Sequence, residues 1–348
     1  MKNAYLVLAD GTVFEGYSFG AEKDAVGETV FTVGGMCGYL ETVSDPAYFG
    51  QIVVQTFPLI GNYGSIGSDL QGKLSLSGYV VREICLAPSN FRCEGTLSEL
   101  LKANDVPAIC GVDTRALTIH LRENGCMNGK ICHSLPQSHE DIKDFKTVAA
   151  VESVSCKEKE VYKAEGEEYV KITAIDCGGR KSFIKALTKL GATVTLVPSD
   201  SDRDSIMSTK PDGIFVTSGP DDPKKCGALD TVKALMGKLP MLGVGLGHQL
   251  MALAAGGDTA KMKVGHRGGS QTVKDLRNGN CYITEQNHGY EVVKESVTNG
   301  KITMVNLNDN GVEAIEYDSL NGVSVQFYPT LEDGSLVFES FISKIRGV

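Results

Sequence analysis

The segment Gly243-Val244-Gly245-Leu246-Gly247-His248-Gln249-Leu250 places three glycines at alternate positions where a short apolar run gives way to a helix-like one. That is the glycine spacing of a nucleophile elbow, in which the chain turns sharply between strand and helix and small flanking residues let neighbouring backbone pass close by. Glycine-rich turns also occur as plain tight turns or phosphate loops, so the spacing alone leaves both open. Two further segments carry polar groups that could converge on such a turn: Thr217-Ser218-Gly219-Pro220-Asp221-Asp222-Pro223 before it and Gln286-Asn287-His288-Gly289-Tyr290 after it. The ten cysteines form no C-x-x-C pair and none stands at a zinc-ligand spacing with a histidine, so reduced core thiols and no metal are expected.

The elements that must position these groups are legible from Tyr169 onward. Val170–Ile175, Thr193–Val197, Gly213–Thr217 and Pro240–Val244 are apolar, strand-like runs. Helix-like stretches alternate with them at Phe183–Leu190, Asp204–Thr209, Ala228–Met236 and Leu246–Ala255. Strands buried on both faces and joined through helices imply a parallel, doubly wound sheet. Ligands of such sheets sit at the carboxyl ends of the strands, where the loops 217–223 and 243–247 lie. Residues 1–150 have a different texture, glycine-rich and strand-rich, with turns expected at Asp10-Gly11, Gly61-Asn62 and Asn124-Gly125. The polar run 151–168 reads as a linker or an exposed strand between domains, and 169–348 as the second domain.

At 348 residues the chain fits two ordinary domains, and its 42% apolar and 22% charged residues are globular values. A net charge of −9 and a pI near 5.3 argue against nucleic-acid and anionic-membrane surfaces. No apolar run approaches the ~20 residues that span a bilayer, and the N-terminus enters the strand-like run Ala4–Leu8 at once. A cytoplasmic location is therefore expected.

Taken together, the long motifs resemble one family. The elbow with Gly-His-Gln-Leu, Ser218-Gly219-Pro220 with Asp222-Pro223, and Gln286–Tyr290 are similar to the class I glutamine amidotransferase domain. Leu8–Gly16, Asp45–Tyr48, Phe57–Gly64, Ala87–Phe91 and Gly111–Thr118 resemble the N-terminal domain of carbamoyl-phosphate synthase small subunits. The fold so implied is α/β throughout: a small-subunit α/β domain followed by an amidotransferase-like doubly wound sheet. The activity implied is hydrolysis of glutamine by an elbow cysteine, which a histidine and a glutamate on a later loop activate. The ammonia passes to a separate large subunit that makes carbamoyl phosphate, in pyrimidine or arginine biosynthesis. ATP and Mg²⁺ would belong to that subunit and no cofactor to this chain, so the expected partner is the large subunit, in a heterodimer or higher assembly.

The sequence departs from the family where the chemistry is implied. Gly245 stands at the nucleophile position, and glycine can form no acyl-enzyme. The later loop reads Gln326-Phe327-Tyr328-Pro329-Thr330, with Tyr328 at the base position and Thr330 at that of its orienting carboxylate. Tyrosine, with a pKa near ~10, is a poor base at neutral pH. Asp221 replaces a glycine whose N–H the family uses in its oxyanion hole. A carboxylate ~4 Å from the developing charge would oppose it by about 4 kcal/mol at an effective dielectric of ~20. Of the implied glutamine contacts, Gly35, Gly219, Leu246, Gln249, Asn287 and Gly289 match, and Tyr290 replaces a phenylalanine. His248, His266 and His288 fall within family motifs away from the catalytic position and read as structural. Glu332 and Asp333 read as a solvated loop, and Cys177 as a buried hydrophobe. The expected function is a non-hydrolytic small subunit. The competing expectations are a working amidotransferase with a relocated nucleophile and a regulatory glutamine-binding paralogue.

Overall fold

Alternating apolar residues in short segments build the N-terminal part. In the computed structural model, which describes residues 2–34, 38–329 and 335–347, the chain divides into two units, Met1–Val148 and Ala149–Val348.

In the first unit seven strands close into a barrel: β1 (Asn3–Leu8), β2 (Val13–Ser18), β3 (Ala25–Thr32), β4 (Gln51–Gln55), β5 (Gly78–Val80), β6 (Ala108–Cys110) and β7 (Met127–Cys132). Their order is β1-β2-β6-β5-β4-β3-β7, with β7 pairing back onto β1. Two capped helices accompany them. Thr96 and Glu99 form a reciprocal capping box at the start of α1 (Leu97–Ala103), so two otherwise orphaned backbone donors are satisfied. In α2 (Thr114–Asn124) the Asp113 carboxylate accepts from the Ala116 N–H.

The second unit carries a ten-stranded sheet. Its elements are β8 (Glu160–Tyr162), β9 (Val170–Asp176), α3 (Lys181–Lys189), β10 (Ala192–Pro198), α4 (Arg203–Ser208), β11 (Gly213–Val216), α5 (Leu229–Leu235), β12 (Met241–Val244), α6 (Leu246–Ala254), β13 (Thr259–Asp275), β14 (Cys281–Val292), β15 (Lys301–Asn306), β16 (Val312–Tyr317), β17 (Gly322–Val325) and α7 (Ser335–Arg346). The order is β8-β10-β9-β11-β12-β17-β16-β15-β13-β14. The centre, β10-β9-β11-β12-β17, is parallel, and β16, β15, β13 and β14 continue it antiparallel. Central strands are buried on both faces because their side chains alternate between two cores. Ile214, Val216 and Met241 join a cluster with Val232, Leu246 and Leu250, whereas Phe215, Leu242 and Val244 join Phe183, Phe338 and Phe341. That two-sided burial is why these strands read as unbroken apolar runs.

The polar run 151–168, expected as a linker or an exposed strand between domains, clusters with the second unit and contains a short strand. Glu160–Tyr162 pairs antiparallel with β10 at the sheet edge, and all three residues are exposed. Exposure on an edge strand explains the polar, charged composition. Among the described residues no helix is long and apolar enough to cross a membrane.

Candidate functional site

The strand β12 ends at Val244, and Gly245 caps α6 with φ 58° and ψ −112°, a conformation that L side chains rarely adopt. The Gly245 N–H donates to Val325 O at 2.9 Å, fixing the turn to the end of β17. Gly247 is required for a different reason: a Cβ there would lie 2.1 Å from the Val216 carbonyl oxygen, because α6 starts hard against β11. The glycine pattern is therefore a true strand-turn-helix elbow.

What faces the elbow is set by two loops. A Cβ built on residue 245 would lie 3.0 Å from Ser218 Cβ and 3.6 Å from Tyr328 Cε1. Ser218 precedes Gly219 on the loop after β11, and its buried hydroxyl has no hydrogen-bond partner among the described residues. Tyr328 is 2% exposed and is bridged to Glu285 of β14, its N–H donating to Glu285 O at 2.8 Å. Its ring packs edge-on against Phe183, with centroids 5.4 Å apart. The Arg180 guanidinium lies over it, 4.4 Å from the centroid. Arg180 in turn pairs with Glu285 at 2.8 Å and is almost fully buried. Asp176 holds the loop leading to Arg180 by accepting from the Gly178 and Gly179 N–H groups. Neither Arg180 nor Glu285 stood out in the sequence. Arg180 follows the carboxyl end of β9, which is the one general signal that could have drawn notice to it.

The remaining expected residues fall as follows. Leu246 is buried at the start of α6. Gln249, one turn on, donates from Nε2 to Tyr290 O at 2.7 Å and to Gln326 Oε1 at 2.9 Å, tying α6 to β14 and to the segment after β17. Asn287 is buried opposite Arg267 in the β13–β14 ladder, and Gly289 and Tyr290 follow it on β14. Gly35, Thr330, Glu332 and Asp333 lie outside the described residues. Asp221 has φ 80°, in the left-handed region that favours glycine. Solvent still reaches it, and partial desolvation raises its carboxyl pKa. Asp221→Gly is expected to stabilise the protein by about 1 kcal/mol by relieving that conformation. Urea unfolding reads the change, and a lowered midpoint would mean that the carboxylate makes contacts worth more than the strain.

The histidines of the motifs serve the interior. His248 is fully buried with Nδ1 2.8 Å from Ser324 Oγ, and burial drives its pKa down to about 3, so it is neutral at physiological pH. His288 is likewise held far below the usual imidazole range by burial and by the neighbouring His266. Cys177 is buried beneath the Gly219 loop, and its thiol pKa lies well above normal through its contact with Cys226 and its burial.

The chain is similar over its length to known proteins. Residues 6–131 match the family described as the carbamoyl-phosphate synthase small chain, CPSase domain, and residues 173–343 match glutamine amidotransferase class-I. A carbamoyl phosphate synthase small chain from Clostridium perfringens is 44% identical, covering 97% of this chain and 98% of its own. One from Caldanaerobacter subterraneus is also 44% identical, covering 97% and 95%. Among solved structures, a glutamine amidotransferase from Thermotoga maritima overlays 52% of this chain and 86% of its own, at 12% identity and a TM-score of 0.39.

Proposed function

The chain belongs to the carbamoyl-phosphate synthase small chain family, and from that premise we propose that its glutaminase site is inactive and that it serves as a non-hydrolytic partner of a large synthetase subunit. The observation that carries this reading is the direction of residue 245. Its missing Cβ points between Ser218 and the Tyr328 ring. The family's nucleophile and base positions thus face each other, and here they hold a hydrogen atom and a phenol. Tyr328 is further packed against Arg180 and Phe183. Asp221 adds a carboxylate on the loop that would cradle the oxyanion, and Thr330 supplies no charge to orient a base.

A relocated nucleophile finds little support. Cys177 is buried with a raised pKa, which disfavours the thiolate that would attack. The Ser218 hydroxyl is near the elbow, but a serine needs an adjacent base. Electrophilic glutamine analogues should therefore label neither Cys177 nor Ser218, and glutamine-protected stoichiometric labelling of any other cysteine would revive a relocated nucleophile.

In this reading the large subunit supplies the ATP and Mg²⁺ chemistry in pyrimidine or arginine biosynthesis, and this chain braces it in the cytoplasm without a catalytic cofactor of its own. The complex makes carbamoyl phosphate from ammonia, bicarbonate and ATP, but not from glutamine. Co-purification with a large subunit, followed by assays with each nitrogen donor, tests it. Failure to form a complex at micromolar concentrations overturns the bracing role, and glutamine-driven synthesis overturns the inactive site.

A further inference from the structure

Three side chains from three strands meet behind β14. His266 of β13 and His288 of β14 are direct cross-strand partners, their rings in edge contact with centroids 5.1 Å apart. Glu313 of β16 lies beside them, and one ligand-capable atom from each residue falls within 4.8 Å of the other two. We propose that His266, His288 and Glu313 form a binding site for a divalent metal ion of the Zn²⁺ class, with Gln286 Oε1 available as a fourth ligand.

The hydrogen bonds around the cluster carry the argument. His266 Nε2 lies 2.9 Å from Asp309 Oδ2, and His288 Nδ1 lies 2.8 Å from Tyr290 O. A carboxylate and a carbonyl can only accept, so each outer nitrogen bears the ring N–H. A neutral ring then turns its lone pair inward, through His266 Nδ1 and His288 Nε2. This is how metal-binding imidazoles are oriented: the other N–H is given to a carboxylate or backbone carbonyl. Both inner nitrogens face Gln286 Oε1, at 3.2 Å and 2.9 Å. That oxygen also brings only lone pairs, and the amide is held this way round because its Nε2 donates to Glu313 Oε1 at 2.8 Å and to Thr284 Oγ1 at 3.2 Å. The Asn306 amide, committed to Glu313 Oε1, reaches His266 Nδ1 only at 3.4 Å, longer than an ordinary hydrogen bond, so the acceptors converging here are what a cation reconciles.

Glu313 gives a second, independent sign. It is 1% exposed, and while Oε1 accepts from Gln286 and from Asn306 at 2.9 Å, Oε2 is buried with no hydrogen-bond partner among the described residues. Buried carboxylate oxygens are seldom left so. His266 Nδ1 is 4.0 Å from Glu313 Oε1. Tetrahedral zinc with bonds of ~2.0–2.1 Å holds its donors about 3.3 Å apart, so small side-chain shifts close the shell. Two imidazoles and a carboxylate suit Zn²⁺ and neighbouring first-row ions rather than Mg²⁺ or Ca²⁺. The site would pin the β13–β14 hairpin to β16, and through Tyr290 O it reaches Gln249. It does not depend on whether glutamine is hydrolysed.

The test is titration of the full chain with Co²⁺ after dialysis against chelator. The expected result is one equivalent bound with d–d absorption of a low-symmetry nitrogen–oxygen site, displaced by Zn²⁺. The ten cysteines are controlled for by the absence of thiolate-to-cobalt charge transfer. Glu313→Gln and His266→Gln should each abolish tight binding, and Asp309→Asn should weaken it by about 10–100-fold. Zn²⁺ should raise the melting temperature of the unaltered chain and not that of Glu313→Gln. No stoichiometric binding by the unaltered chain, or unchanged affinity in Asp309→Asn, overturns the site. Those two measurements decide it even if the ligand variants fail to fold.

Discussion

Glutamine hydrolysis by the Gly245→Cys variant is expected to stay at the background of the unaltered chain. The new Cβ would enter a backbone conformation of φ 58° and ψ −112°, which costs a side-chain-bearing residue about 1–3 kcal/mol. It would also lie 3.0 Å from Ser218 Cβ. The thiol would then meet the Tyr328 ring rather than an imidazole, and phenols, with reference pKa values near ~10, are poor general bases at neutral pH. Because such residues act as a unit, loss of one member costs up to ~10⁶ in rate and repair of one returns little. The fourfold change Gly245→Cys, Tyr328→His, Thr330→Glu and Asp221→Gly restores the full set, and measurable turnover is expected only there. Ammonia release from glutamine, followed in a coupled assay, distinguishes the two. A single Gly245→Cys variant as active as the fourfold one would show that Tyr328, Thr330 and Asp221 have been assigned wrongly.

Gly247→Ala is expected to destabilise the second unit by about 3 kcal/mol, at the upper end of overpacking effects. The atom that a Cβ would strike is the Val216 carbonyl oxygen, 2.1 Å away, with its carbon at 2.8 Å. Both belong to the backbone of a buried parallel strand, so no rotamer change relieves the contact. At 2–4 °C per kcal/mol for a domain of this size, the melting temperature should fall by about 6–12 °C. Gly269→Ala is the control, since nothing lies within 4 Å of its added Cβ; a surface change of that kind stays within about 0.5 kcal/mol. Equal melting of the two variants would show that the elbow is looser than its geometry implies.

The sequence made the second unit legible because local and long-range signals coincide there. The expected strand 240–244 and helix 246–255 appear as Met241–Val244 and Leu246–Ala254, and the elbow lies between them. Closure of the first unit into a barrel was not legible. The parallel pairing of β3 with β4 and of β5 with β6 joins residues far apart in the chain, and alternation fixes a buried face without naming its neighbour. The Arg180–Tyr328 contact was hidden for the same reason, since only tertiary packing brings the two together. So was the His266, His288 and Glu313 cluster. Its members come from separate strands, and no ligand-type spacing along the chain announces them.

The most direct test is the choice of nitrogen donor by the chain in complex with a large carbamoyl-phosphate synthetase subunit. Carbamoyl phosphate formation should proceed with ammonia, bicarbonate and ATP, and glutamine at saturating concentration should add nothing above the ammonia-free background. Glutamine-driven synthesis at a rate comparable to the ammonia-driven one would contradict the account.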